Sequence, residues 1–144
     1  MITGLKEKVG LTSVERSVRL SEVDMKDFAA CIKSTVGNTS HSQISSAVIP
    51  TVFTVFRAGE FEIVAGMGIE LKQILHAEQE YQIMAPLLPG EEIRFKTTLT
   101  NVMEKKGKGT KLAFLVLQTD FVRSSDSFCV ATARSTMVYR EVTP

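Results

Sequence analysis

The chain has 144 residues, 44% of them hydrophobic, and its 17 Lys and Arg against 16 Asp and Glu leave a net charge of +1. That length and apolar content suit one domain, spanning residues 1–144, with a core of its own rather than a disordered or stapled peptide. The scattered, nearly balanced charge lacks the electrostatic footprint of a nucleic-acid binder, and no run approaches the roughly 20 apolar residues that span a bilayer.

Met1 to Gly10 interleaves Lys6, Glu7 and Lys8 with single apolar residues, so the apolar stretch of a signal peptide is missing and a cytoplasmic protein is expected. Cys31 and Cys129 stand far apart among small or apolar neighbours and form no CxxC. Two buried free thiols are expected, not a disulfide or a metal pair.

Val14, Arg16, Val18 and Leu20 alternate loosely and predict a short strand. The period then changes. Ser21 is a good N-cap with Asp24 three residues on, and Met25, Phe28, Ala29, Ile32 and Val36 follow at helical spacing, with Glu22, Lys26, Asp27 and Lys33 on the other face. Gly37 to Ser46 is small and polar and reads as a loop. Val48 to Phe56 is apolar nearly all round and rich in β-branched residues, which by propensity fits a buried strand or a buried helix. Gly59, Gly66 and Gly68 beyond it are places for the chain to bend or stop.

From Leu75 the pattern is β. Leu75, Ala77, Tyr81 and Ile83 are predicted on one face and His76, Glu78 and Glu80 on the other. Pro86, Pro89 and Gly90 break this strand. Ile93, Phe95, Leu99 and Met103 oppose Arg94, Lys96, Thr98 and Thr100, the alternation of an antiparallel strand with one wet face. Gly107-Lys108-Gly109 turns the chain back into Leu112 to Leu117, apolar throughout and therefore central. After the polar turn Ser124 to Ser127, Cys129, Ala131, Ala133 and Ser135 give the last strand a small-residue side that admits a closely packed element. Two helices followed by hairpin-linked strands make an α+β domain.

Three stretches identify a family: His76-Ala77-Glu78-Gln79-Glu80-Tyr81, then Pro86-Leu87-Leu88-Pro89-Gly90-Glu91, then Ala133-Arg134-Ser135-Thr136-Met137-Val138-Tyr139-Arg140. In this order and spacing the chain resembles the N-terminal-type domain of the MaoC-like dehydratases, over roughly Leu11 to Val142. The resemblance implies a hot-dog fold, a long antiparallel sheet wrapped around a central helix, and decides for a Pro50-initiated helix over Val48 to Phe56; a proline in the first turn suits a helix start. It also implies chemistry on 3-hydroxyacyl and enoyl thioesters. The sequence carries no P-loop, Rossmann fingerprint, zinc-ligand set or nucleophile elbow, so no cofactor and no metal are expected.

Catalytic members of the wider (R)-hydratase group carry a G-D-x-N-P-x-H loop, whose Asp and His hold a water and exchange protons at the thioester. The corresponding stretch here is Thr35-Val36-Gly37-Asn38-Thr39-Ser40-His41. Asn38 and His41 match and are the catalytic candidates, but Val36 stands for the acid and can neither orient a water nor exchange a proton. His41 without that acid also reads as an ordinary loop histidine. His76 and Glu78 form a reserve acid-base pair, since residues two apart on a strand share a face; the alternative is a half-exposed polar face. Lys105, Lys106, Lys108 and Lys111 flank two glycines and would grip the phosphates of coenzyme A or of a carrier protein's pantetheine arm, or simply keep a hairpin solvated. The substrate-binding set is Pro50, Thr51, Phe53, His76, Lys106 and Lys108.

The degenerate loop implies the acyl-chain-binding subunit of a 3-hydroxyacyl-thioester dehydratase or enoyl-thioester hydratase, working on an acyl-CoA or acyl-carrier-protein thioester. Its expected assembly is a homodimer or a heterodimer with a catalytic hot-dog subunit. The alternatives are a non-catalytic acyl-thioester-binding homodimer, or a hot-dog thioesterase, which needs a carboxylate near the start of the central helix where Glu60 and Glu62 come late.

Overall fold

The apolar/polar pattern from Glu92 to Val142 produces three long strands, and the other described elements pack on or beside them. A computed structural model describes residues 2–31 and 57–142. In chain order the elements are a 3-10 turn Leu5–Lys8, β1 Arg16–Arg19, α1 Glu22–Cys31, α2 Ala58–Gly66, a 3-10 turn Leu71–Gln73, β2 Ile74–Ile83, β3 Glu92–Gly107, β4 Thr110–Arg123 and β5 Cys129–Val142. The strands form one antiparallel sheet in the order β1-β3-β4-β5-β2. The continuously apolar segment is β4, at the centre as expected, with Leu115, Val116 and Leu117 all buried.

The expected loop at Gly37 to Ser46 and the Pro50-initiated helix over Val48 to Phe56 lie outside the described residues. The helix that the structure describes on the sheet is α2. Its Ile63, Val64 and Met67 sink into a cluster with Leu99, Leu115, Leu117, Met137 and Tyr139. It stops where Gly68 takes φ 75 and returns its amide to the Ala65 carbonyl, a conformation that favours glycine. Gly59 does not bend the chain. It lies inside α2, where its missing side chain lets the helix approach β3. A second cluster holds Leu20, Met25, Leu87, Phe95, Phe121 and Ala131, so α1 contributes through Met25.

Two bulges overturn parts of the predicted alternation. A register shift between His76 and Glu78 leaves Ala77 as the extra residue, so His76 pairs with Met137 and Glu78 with Thr136. Met137 is buried on the face that packs against α2, and the extra residue therefore turns His76 to that inner face while Leu75, Glu78 and Glu80 share the outer one. His76 and Glu78 do not share a face. Likewise the shift between Leu99 and Asn101 places Val102 inside, at 4% exposure, and turns Met103 out, at 45%. A third shift at Phe121/Val122 separates Cys129 from Ala131; Cys129 is a free, partly buried thiol, not a fully buried one.

Candidate functional site

The inner sheet face is apolar at both ends and polar across its waist. Thr97 of β3 and Thr119 of β4 are buried and share a hydrogen bond of 2.7 Å between their hydroxyls. The Thr97 backbone N–H donates to Ser13 Oγ at 3.1 Å, and Ser13 is buried too. Gly59 faces this row: a Cβ there would stand 2.6 Å from Thr97 Oγ1. The neighbouring residue, Glu60, carries a carboxyl to the same depth and is 3% exposed.

Burying a carboxylate is costly unless charge and hydrogen bonds compensate it. Here both oxygens are engaged. Arg57 Nε, at the entrance to α2, donates to Glu60 Oε2 at 3.1 Å, and the Ser135 hydroxyl of β5 donates to Glu60 Oε1. Ser135 Oγ also lies 2.8 Å from Gln79 Oε1 on the facing residue of β2. The Gln79 amide nitrogen donates to the Arg134 carbonyl at 3.3 Å, which turns Oε1 toward Ser135 and toward His76 Nε2, 3.0 Å away. An acceptor-only oxygen makes Nε2 the protonated ring nitrogen in the neutral imidazole. Arg57, Glu60, Ser135, Gln79 and His76 are thus one chain of polar contacts from under α2 to the exposed β2 edge. Tyr81, next on this face, has its phenol pushed up first by burial; Arg57 opposes that shift and Glu60 adds to it.

This arrangement can hold a polar group between two apolar halves, and the single Ser135 hydroxyl proton can go to Glu60 or to Gln79 but not to both. Among the described residues no group of three or more His, Cys, Asp and Glu converges to hold a metal, and no helix is long and apolar enough to cross a membrane. On the outer face Glu78, Glu80, Asn101, Arg134 and Thr136 line a cleft of about 520 Å³, in which Arg134 approaches Glu80 only to 4.0 Å.

The predicted site residues divide. Asn38, His41, Pro50, Thr51 and Phe53 lie outside the described residues. His76 is on the β2 edge, and Lys106 and Lys108 are exposed at the β3–β4 hairpin. The structure does not bring the lysines to the histidine. The row of His76 meets β4 at Leu115 and that of Lys106 meets it at Lys111, three strands away, so the separation is roughly 13 Å along the strands and roughly 14 Å across them. Sequence reasoning gives no role to Arg57 and Gln79, sets Glu60 aside as too late for a thioesterase carboxylate, and reads Ser135 only as a small side chain. The available signals were an Arg and a Glu three residues apart beside a glycine, and one serine in a row of buried alanines.

Residues 8–132 match the family model described as FAS1-like, dehydratase domain region. The chain belongs to that family and is a MaoC-like hot-dog domain. The MaoC-like fold is shared with solved structures at low identity. One chain of the C-terminally truncated HadBC (3R-hydroxyacyl-ACP dehydratase) complex from Mycobacterium tuberculosis superposes with a TM-score of 0.69 at 14% identity, over 91% of this chain and 96% of that one. A chain of the ChsH1-ChsH2 complex from the same organism gives 0.66 at 12%, over 99% and 90%. The (R)-hydratase from A. caviae involved in PHA biosynthesis gives 0.55 at 13%, over 90% and 94%. Among curated proteins no sequence matches.

Proposed function

We propose that this chain is one domain, residues 1–144, that binds the acyl chain of a 3-hydroxyacyl or enoyl thioester in the cytoplasm and works with a hot-dog partner that supplies the acid and base. One observation carries this reading: in a member of a dehydratase family, Val36 occupies the position of the acid in the loop Thr35 to His41. Hydration of an enoyl thioester adds water to the β-carbon and a proton to the α-carbon. A base must take a proton from water as its oxygen attacks, a donor must hold the charge on the thioester oxygen, and an acid must return a proton. A valine does none of these, so the paired groups belong on the partner.

The β2 edge supports such pairing. All of its residues but the bulged Ala77 pair with β5 on one side, and among the described strands none lies on the other. Two of the solved relatives are complexes of paired subunits, HadBC and ChsH1-ChsH2. The substrate-binding set proposed for this chain is Pro50, Thr51 and Phe53, with His76 on the β2 edge, for the acyl thioester itself, and Lys106 and Lys108 on the hairpin for the carrier that bears it; Asn38 and His41 remain the loop candidates.

A second reading, thioester hydrolysis, gains from the position of Glu60 in the first turn of α2. Both of its oxygens are already held, by Arg57 and Ser135, which favours the first reading. The test is turnover of crotonyl thioesters by the purified chain, alone and with a hot-dog partner bearing an intact Asp/His loop. Slow hydration alone, little changed in His41→Ala, and turnover restored by the partner are expected. Robust hydration by the chain alone, lost in His41→Ala, overturns the subunit role. Release of free thiol that Glu60→Gln abolishes makes the protein a thioesterase.

A further inference from the structure

Cations and acids are segregated along the sheet. At the end where β3 begins, arginines stand in ion pairs: Arg16 with Glu62 at 2.5 Å, Arg19 with Glu92 at 3.5 Å, Arg94 with Glu15 at 3.3 Å, and Arg123 with Asp126 at 3.0 Å and Glu91 at 3.4 Å. At the other end the β3–β4 hairpin and the end of β5 carry Lys105, Lys106, Lys108, Lys111 and Arg140, and none of these is in an ion pair among the described residues. The acids in this region are Glu104 and Glu141. Glu141 accepts the Ile2 backbone N–H and has Lys111 among the charges that hold its carboxyl below the usual range.

The register makes this segregation costly. Lys106 pairs directly with Lys111 across the hairpin, and like charges directly opposite each other destabilise a strand pair. A hairpin that only had to stay solvated is served by interspersed charges of both signs. Glu141 stands opposite Lys111 on β5 and Lys105 lies over the Phe114 ring, but Lys106, Lys108 and Arg140 are in no ion pair among the described residues, and a local conflict answered only in part marks a surface shaped for something else.

The distribution of the charges selects the partner. Lys105 and Arg140 project from the outer face, Lys106 and Lys111 from the inner face, and Lys108 sits in the turn. A phosphate needs donors that converge on it; of these cations only Lys106 and Lys111 stand side by side on one face, with Glu141 opposite Lys111, and the others lie on the far face or in the turn, so the set does not close into one anion pocket. An extended acidic surface that receives the hairpin tip meets both faces. We infer that the Lys105–Lys111 hairpin docks an acidic protein surface, that of the carrier protein bearing the thioester, and does not grip the phosphates of coenzyme A. This rests on the reading of the chain as one that handles an acyl thioester.

The experiment titrates the full chain with two probes, an acidic holo-acyl carrier protein loaded with a crotonyl group and crotonyl-CoA, at low and at physiological salt. For wild type, carrier-protein binding weakens steeply with salt. In Lys106→Glu/Lys108→Glu it falls by about tenfold or more at low salt, crotonyl-CoA binding stays within about twofold, and the control Lys96→Glu, at the far end of β3, changes neither. Circular dichroism melts show that the variants are folded. If both probes bind wild type and the double variant weakens neither, or carrier-protein binding is indifferent to salt, the docking surface is refuted while the thioester reading stands. Equal weakening of both probes assigns the lysines to phosphate instead and also refutes it. If wild type binds neither probe, the thioester reading fails and the docking claim fails with it.

Discussion

Gly59 and Thr97 touch across the helix–sheet interface so closely that a methyl group at residue 59 would come to 2.6 Å of Thr97 Oγ1 and 3.0 Å of Ser13 Oγ. Helix propensity alone favours alanine over glycine by about 1 kcal/mol. The packing conflict outweighs it, because overpacking a tight site costs about 1–3 kcal/mol and these neighbours are fixed: Thr97 by Thr119, and Ser13 by the Thr97 amide. Gly59→Ala should therefore lower the urea midpoint, and Thr97→Ala, which removes the nearest atom, should recover part of the loss in the double variant. A stabilised Gly59→Ala would mean that α2 stands further from β3.

Ser135 contributes one of the two contacts that hold Glu60 in the core. Ser135→Ala leaves Glu60 Oε1 without a donor and should cost about 1–3 kcal/mol, more than the loss of one oxygen from an exposed site. In a Glu60→Gln background the same substitution should cost less, since a neutral amide is cheaper to leave incompletely bonded. Chemical denaturation of the four proteins in this cycle measures the coupling; additive effects would show that the two side chains do not share a contact in solution.

The regions that could be read from sequence are those where one rule holds without interruption. Ile93, Phe95 and Leu99 run inward as expected, and the continuous apolar run of β4 is the centre of the sheet. One inserted residue inverts every position beyond it, which is why His76 and Met103 lie opposite to their predicted faces. A bulge is set by the fit of the strand to its neighbour, and neither Ala77 nor Thr100 announces it. The burial of Glu60 was hidden for a different reason. A carboxylate becomes tolerable in a core only through partners from β5 and the turn before α2, one of them 75 positions away in sequence.

Acid should loosen the loop between β4 and β5 selectively. Arg123 first, then the Phe128 backbone N–H, hold the Asp126 carboxyl below its usual range in the folded protein. A carboxyl depressed on folding contributes stability that is fully present above its unfolded value and is lost as pH falls through its folded value. Wild type should therefore lose this contribution only below the ordinary aspartate range. Asp126→Asn should be the less stable protein at neutral pH and should show a shallower decline between pH about 5 and about 2. Parallel denaturation curves for the two proteins across that range would mean that the Arg123–Asp126 contact, half exposed, is screened to nothing.

The conflict between Lys106 and Lys111 has a consequence for stability as well as for docking. The two residues are directly paired across the hairpin and both are lysine, and a directly opposed pair is worth roughly 0.2–1 kcal/mol in either direction according to sign and shape. Lys106→Thr removes the repulsion and places a β-branched side chain in a strand, so both effects point the same way. The variant should melt higher than wild type by roughly 1–4 °C, and the gain should shrink as salt is raised, because screening already relieves wild type of the same repulsion. Glu141 neighbours Lys111 on the other side and limits the gain, since its carboxylate already answers part of that charge. A melting temperature unchanged at low salt would show that the lysines bend apart in solution, and that the hairpin carries its positive charge without strain.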